Sequence, residues 1–345
     1  MPSELGSLVE GELAVVARRI RTGERIGRSS CMHLWKTHDL TGIGSLANIA
    51  RERAAGNASF FQTAAFVNYS GLPVPSYPEC NHLLPPGRHL QSGQQPDQCL
   101  IGVSQEGARA VYLVGGADPQ IGIQDLCRWV ERVRCARPEL HVRGFTWDAL
   151  EMAAARDGRS PRQVISVLSS AGVSSLAGGA LVDLTPESPH LGVDSVDKLS
   201  RRVPWIQAAA DAGMKCEVSW IYGDEDDPEV LTDLLECIRG LQDRYQVFEC
   251  FTPLLFSCPW EDVTLPMPTG YNQLRAIAVA RLFLDNIRRI RSARHALGEA
   301  MTQAAQWYGA DDAGFVVAGG EKEPGASLAD LIRAAGREPT ELTNG

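Results

Sequence analysis

The sequence predicts a (β/α)8 barrel with an N-terminal helical extension. Three observations carry that expectation. Short apolar runs alternate with amphipathic helical stretches through most of the 345 residues, the order that gives parallel strands joined by right-handed crossovers. Six clear units and two weaker ones fill the roughly 250–300 residues that such a barrel needs. Residues 73–100, rich in Pro and Gly, fall at the first strand-to-helix connection. Active-site loops of a barrel gather at that end. A doubly wound open sheet is the structural alternative.

In chain order, Glu12 to Arg21 and Ile43 to Ala54 place apolar residues at helical spacing. Residues 1–60 then form the extension and 61–345 the barrel, one domain overall, because no composition break marks a linker. Strands are expected at Ala65–Ser70, Ala110–Gly116, Leu140–Thr146, Ser174–Gly179, Cys216–Gly223 and Val247–Phe256. Weaker ones lie near Arg291–Leu297 and Gly314–Ala318. Helices are expected at Ile123–Ala136, Ser160–Ala171, Ser200–Ala212, Pro228–Asp243 and Tyr271–Ile290. Asp227 is a good N-cap and Pro228 a good first helical residue. Strand side chains alternate faces. Strand five therefore puts Glu217, Ser219 and Ile221 on one face and Cys216, Val218 and Trp220 on the other. The same alternation puts Glu249 and Phe251 of strand six on one face.

The net charge of −9 points away from a nucleic-acid or anionic-membrane partner. The basic run Arg288-Arg289-Ile290-Arg291 reads as a solvated helix end or a contributor to an anion site. No apolar stretch reaches the ~18–20 residues of a spanning helix. The polar start, Met1-Pro2-Ser3-Glu4, is unlike a secretory signal. A cytoplasmic protein is expected. The nine cysteines sit mostly in apolar runs and read as core thiols without disulfides.

Several stretches, in order, carry a family resemblance. They are Ala17-Arg18-Arg19-Ile20-Arg21-Thr22-Gly23-Glu24-Arg25, Val114-Gly115-Gly116-Ala117-Asp118-Pro119 and His141-Val142-Arg143-Gly144-Phe145-Thr146. Ala171 to Gly179, Ile221-Tyr222-Gly223, Thr252 to Phe256, Ala278 to Ile287 and Gly309-Ala310-Asp311-Asp312 continue the series. Together they resemble the radical SAM enzymes of the aminofutalosine synthase and deazaflavin-ring synthase branch, from Ala17 to Asp312. The resemblance implies the barrel fold, S-adenosylmethionine (SAM) and a [4Fe–4S] cluster on a C-x3-C-x2-C motif. At those three motif positions this chain reads Pro73, Tyr77 and Cys80. A cluster is held by cysteine thiolates, and one thiolate cannot seat it. Elsewhere Val182 stands at a glutamate position of the family and Asp224 at a histidine position.

The expectation from these departures is an enzyme without an iron–sulfur cluster, working by proton transfer on a small polar metabolite in specialised biosynthesis. SAM remains an open ligand. A catalytically silent partner of an active relative, and a radical enzyme with unusual cluster ligation, are the alternatives. A homo-oligomer or a complex with an active relative stays open. Glu217, Glu249 and Asp224 are the expected catalytic acids and bases, since carboxylates in an apolar barrel mouth have raised pKa values. The competing reading pairs each with an internal arginine such as Arg143. Arg143, Ser219, Asn68, Tyr222 and Arg291 are expected to bind substrate. The resemblance implies that Gly115 and Gly116 lie beside the amino-acid end of SAM; the other reading is a tight turn. Cys80, His82, His89 and Cys99 match no standard zinc spacing, and no metal site is assigned.

Overall fold

A computed structural model describes residues 11–70, 107–116, 118–178, 180–183, 195–222, 227–255, 269–318 and 327–343. Three helices open the chain: α1 (Glu12–Thr22), α2 (Arg28–Lys36) and α3 (Leu40–Ala55). The strands are β1 (Ala58–Asn68), β2 (Ala110–Val114), β3 (His141–Gly144), β4 (Ser175–Leu176), β5 (Ala180–Asp183), β6 (Lys215–Tyr222), β7 (Phe248–Leu255), β8 (Arg289–Ile290), β9 (Asp312–Val317) and β10 (Glu338–Glu341). Between them run α4 (Ile123–Ala136), α5 (Trp147–Asp157), α6 (Pro161–Ala171), α7 (Ser195–Asp211), α8 (Pro228–Tyr245), α9 (Gly270–Phe283), α10 (Arg294–Ala305) and α11 (Leu328–Ala334).

All strand pairings are parallel, in the order β10-β1-β2-β3-β4-β6-β7-β8. β5 continues the β4 position by pairing with β6. The ring closes because Arg291, just past β8, bridges to Asp312, and β9 pairs with β1. Closure makes this a barrel and excludes the open sheet. β10 adds beside the first half of β1, from Ala58 with Glu338 to Phe61 with Glu341.

Local chemistry explains the elements. α6 starts at Ser160, whose hydroxyl accepts from Gln163 N–H while the Gln163 side chain returns to the Ser160 N–H. Such a reciprocal box fills two orphan donors at a helix start. Asp227 caps α8 as expected, accepting from Glu229 N–H. α4 buries Ile123, Leu126, Cys127, Val130 and Val133, one stripe at helical spacing. The extension packs on the barrel's outer helices. Arg28 reaches Asp233 and Glu236 of α8, and Arg275 of α9 donates to the carbonyls of Trp35 and Thr37. Trp35 meets Trp220, on the outward face of β6, at 6.0 Å between ring centroids.

Two expectations change here. The helix foreseen over Tyr271–Ile290 stops at Phe283, and Arg289-Ile290 is strand. The basic run is therefore a barrel stave, with Ile290 in the outer core and Arg289 and Arg291 both buried. The alternation foreseen for strand six also fails. The register of β7 on β6 slips at Glu249, so Glu217 pairs with Cys250 and Val218 with Phe251. A bulge of this kind gives one strand an extra residue and resets its faces. Phe251 consequently joins the outer core, and Cys250 turns inward beside Asp312. Among the described residues, no helix is long and apolar enough to cross a membrane.

Candidate functional site

Inward residues form layers along the barrel axis, from the N-terminal floor to the C-terminal mouth. The middle layer is an ion network. Glu217 accepts from Arg291 Nη1 at 2.7 Å and Nη2 at 2.8 Å, and from the Tyr112 hydroxyl at 2.9 Å. Arg291 also donates to Asp312, from Nε and Nη2, both at 3.1 Å. Arg143 stands 3.6 Å from Glu217 and pairs directly with Glu249. Phe66 and Tyr112 stack at 5.0 Å, and Phe315 lies 4.4 Å under the Arg291 guanidinium. Charged groups and rings together fill the barrel at this level.

The electrostatics correct the acid–base expectation. Burial pushes the Glu217 carboxyl up, but the Arg291 and Arg143 guanidiniums and the Arg291 hydrogen bonds outweigh it. The result is a pKa lowered to about 2. The carboxylate stays ionised at neutral pH and has no proton to exchange. Burial raises the Tyr112 phenol well above its ordinary value, so it stays protonated. Glu249 is tied to Arg143 and lies near the N-terminal end of β7, the end opposite the mouth. Neither glutamate is placed as a catalytic acid or base. The reading that pairs them with internal arginines is the one observed.

Two expected substrate contacts are spent elsewhere. Arg291 is buried and committed to Glu217 and Asp312, so its guanidinium is closed to a substrate anion. Tyr222 falls on the outward face of β6. It meets Trp220 edge-on at 5.3 Å and donates to the Asn272 carbonyl. Arg143 is likewise fixed by carboxylates, although its Nε is buried without a hydrogen-bond partner. Asp224 lies outside the described residues, as do Cys80, His82, His89 and Cys99.

The mouth holds what remains. Asn68 ends β1, and its Oδ1 accepts from the Ser70 N–H at 2.9 Å and hydroxyl at 3.1 Å. Ser70 Oγ in turn accepts from the Gly116 N–H at 2.8 Å. This clip locks the ends of β1 and β2 together. A Cβ on Gly115 would stand 3.0 Å from Asn68 Oδ1, Ser70 Oγ and the Tyr69 ring, tighter than carbon normally approaches. The glycine is thus required by the turn itself. On β6, Ser219 is 4% exposed, and its hydroxyl has no hydrogen-bond partner among the described residues. Ile221, Leu254 and Ala293 form a small apolar cluster one step nearer the mouth. A buried, unfilled hydroxyl in a barrel wall below an apolar collar is what a polar ligand group would satisfy.

Known proteins fit this architecture. No protein-family model matches the chain. It is 25% identical to an aminodeoxyfutalosine synthase from Streptomyces coelicolor, over 94% of this chain and 90% of that protein. It is 26% identical to a 5-amino-6-(D-ribitylamino)uracil–L-tyrosine 4-hydroxyphenyl transferase from Methanospirillum hungatei, over 88% of this chain and 86% of that one. Among solved structures, methylornithine synthase superposes with a TM-score of 0.64 at 15% identity, covering 94% of this chain and 97% of that chain. That likeness bears on the fold alone.

Fold and relatives together support the radical SAM superfamily for this chain. Within it, the chain is similar to the aminodeoxyfutalosine synthases. This overturns the expected cluster-free, proton-transfer enzyme, because the relatives are radical SAM enzymes that bind a [4Fe–4S] cluster and SAM. The ion-paired state of Glu217 removes the other support for it.

Proposed function

We propose that the chain is a radical SAM-type enzyme acting on a small polar metabolite at the barrel's C-terminal mouth, with cluster ligation that differs from its relatives'. The observation that carries the reading is the extent of similarity. The relatives align over about nine-tenths of their own length and of this chain, so the whole barrel is kept, not a fragment of it. Ser219 and Asn68 are the chain's own polar groups toward substrate. Gly115 and Gly116 form the edge proposed to face SAM.

The described thiols do not fit a cluster. Cys250 is buried in the ion network beside Asp312, and burial raises its thiol well above the ordinary value. Cys216 is fully buried in the outer core. Cys31 packs against Thr232 of α8, and Cys127, Cys135 and Cys237 lie on outer helices. Among the described residues, no group of three His, Cys, Asp or Glu could hold a metal ion. Cys80, Cys99 and Cys258 lie outside the described residues. In sequence they follow β1 and β7, and they are the thiols to test.

The experiment is anaerobic purification, reconstitution with iron and sulfide, and assay of SAM cleavage to 5′-deoxyadenosine by mass spectrometry. Bound iron and product are expected, with both lost in Cys80→Ala and reduced in Cys99→Ala or Cys258→Ala. Protein that binds SAM but holds no iron and yields no 5′-deoxyadenosine would sink the reading.

A further inference from the structure

We propose a second ligand site at the N-terminal floor of the barrel, taking a small molecule with a phosphate or carboxylate group. A cavity of about 540 Å³ opens there, lined by Phe60, Lys215, Glu249, Arg288, Arg289 and Leu342 among others. Lys215 begins β6 and Arg289 begins β8, which sets this cavity at the opposite end from the mouth. Its size lies within the roughly 300–1,000 Å³ of small-molecule sites. The site does not depend on the reading of the mouth.

Arg289 carries the inference. It is 6% exposed, and its guanidinium makes no hydrogen bond among the described residues. The Glu249 carboxylate stands 3.7 Å from its Nη2, beyond hydrogen-bond length. Glu249 is instead paired with Arg143. A guanidinium carries five N–H donors in a planar fork, and those of Arg289 are left to the cavity that the side chain lines. The cavity therefore presents a fork of donors on a largely buried side chain, whose nearby carboxylate, Glu249, is committed to Arg143. Phosphates and carboxylates match that fork with paired hydrogen bonds.

The rim adds positive charge. Lys215 is exposed and uses one donor on the Gln246 carbonyl at 2.7 Å. Arg288 is exposed and has no ion-pair partner among the described residues. The acids in the lining are already matched. Asp243 binds the Arg25 guanidinium and accepts from Asn286 at 2.8 Å, and Glu249 holds Arg143. Phe60 and Leu342 give the cavity an apolar wall. The expected ligand thus has one oxyanion against Arg289 and a compact, partly apolar body.

Isothermal titration calorimetry on the full chain tests this with inorganic phosphate, phenyl phosphate and benzoate. Saturable binding of at least one probe is expected, with a Kd at or below about 1 mM. Tighter phenyl phosphate assigns a phosphate ligand, and tighter benzoate a carboxylate. Arg289→Gln is expected to abolish binding. Arg288→Ala and Lys215→Ala alter exposed rim groups, so they keep the test valid even where Arg289→Gln does not fold. Each is expected to weaken binding about three- to tenfold and to leave SAM affinity unchanged. No saturable binding of any probe up to about 20 mM, or a Kd unmoved by both rim variants, would overturn the proposal.

Discussion

Glu217→Gln tests the barrel's middle layer most directly. The substitution keeps the shape and removes one charge, which leaves Arg291 with Asp312 alone and Arg143 with Glu249 alone. Breaking a buried ion pair from one side costs about 3–5 kcal/mol, because the remaining charge is uncompensated. The titration gives a second route to the magnitude. The Glu217 carboxyl falls from an ordinary 4.5 to about 2 in the folded chain, which corresponds to about 3 kcal/mol at neutral pH. The folded pKa is depressed, so this stability is complete above the unfolded value and is lost as pH falls toward about 2. By pH 3.5 about 1 kcal/mol of it is gone. Urea titrations of wild type and variant, followed by circular dichroism, measure both quantities. The variant is expected to lose about 3 kcal/mol at pH 7, with the gap narrowing at pH 3.5. A variant within about 0.5 kcal/mol of wild type at pH 7, or a gap independent of pH, refutes the network.

Three further predictions test neighbouring features. Burial lowers the His141 imidazole from 6.5 to about 4, and its Nε2 shares a hydrogen bond with Ser175 Oγ at 2.8 Å. The unfolded chain takes up that proton first, so the stability His141 contributes is complete above pH 6.5 and declines toward pH 4. An NMR titration, with the resonance assigned through His141→Gln, should show a midpoint near 4; one near 6.5 contradicts the burial argument. Gly178 has φ +74°, and a Cβ there would lie 1.8 Å from the Glu217 carbonyl oxygen. Gly178→Ala is expected to cost more than about 3 kcal/mol or to prevent soluble expression, and a wild-type melting curve would count against the β4–β6 geometry. Ser219→Ala removes an unfilled hydroxyl, so stability is expected to hold or rise by about 1 kcal/mol while 5′-deoxyadenosine formation with substrate falls. Unchanged product formation would remove Ser219 from the mouth.

Sequence periodicity foretold most of the barrel because its core strands and helices differ sharply in pattern. Ile123–Ala136 appears as expected, and the closed ring confirms the eight-fold count. α5 was not foreseen. It is an Ala-rich helix (Trp147–Asp157) with weak contrast between faces, marked only by the Thr146 cap and Gly158 in the left-handed region. Strand parity correctly put Glu217 and Ser219 on one face, because β6 itself runs without interruption. Parity failed on β7, where the slip at Glu249 has no Gly or Pro to announce it. The direction of the Glu217 pKa was the larger loss. It depends on Arg291, 74 positions away, in a run that resembled the end of a helix. Local spacing sees a carboxylate in an apolar strand and expects its pKa to rise. The closed ring supplies the counter-charge that lowers it.

The middle layer therefore limits where chemistry can occur. Three arginines, at 143, 289 and 291, face three carboxylates, at 217, 249 and 312. Each charge is buried or nearly so, and breaking one of the close pairs leaves its partner in a low-dielectric interior. Such a set resists proton exchange: Glu217 stays ionised, and Tyr112 holds its proton. A substrate entering from the mouth meets this layer as a fixed polar floor. On the proposed reading, the polar groups that face a substrate lie above it, at Ser219 and the Asn68–Ser70 clip. This agrees with a barrel whose relatives draw their chemistry from a bound cofactor. It also separates the two ends of the molecule. A ligand held by Arg289 would meet the ion network from below, and Arg143, which contacts both Glu249 and Glu217, spans the distance between the floor cavity and the layer beneath the mouth.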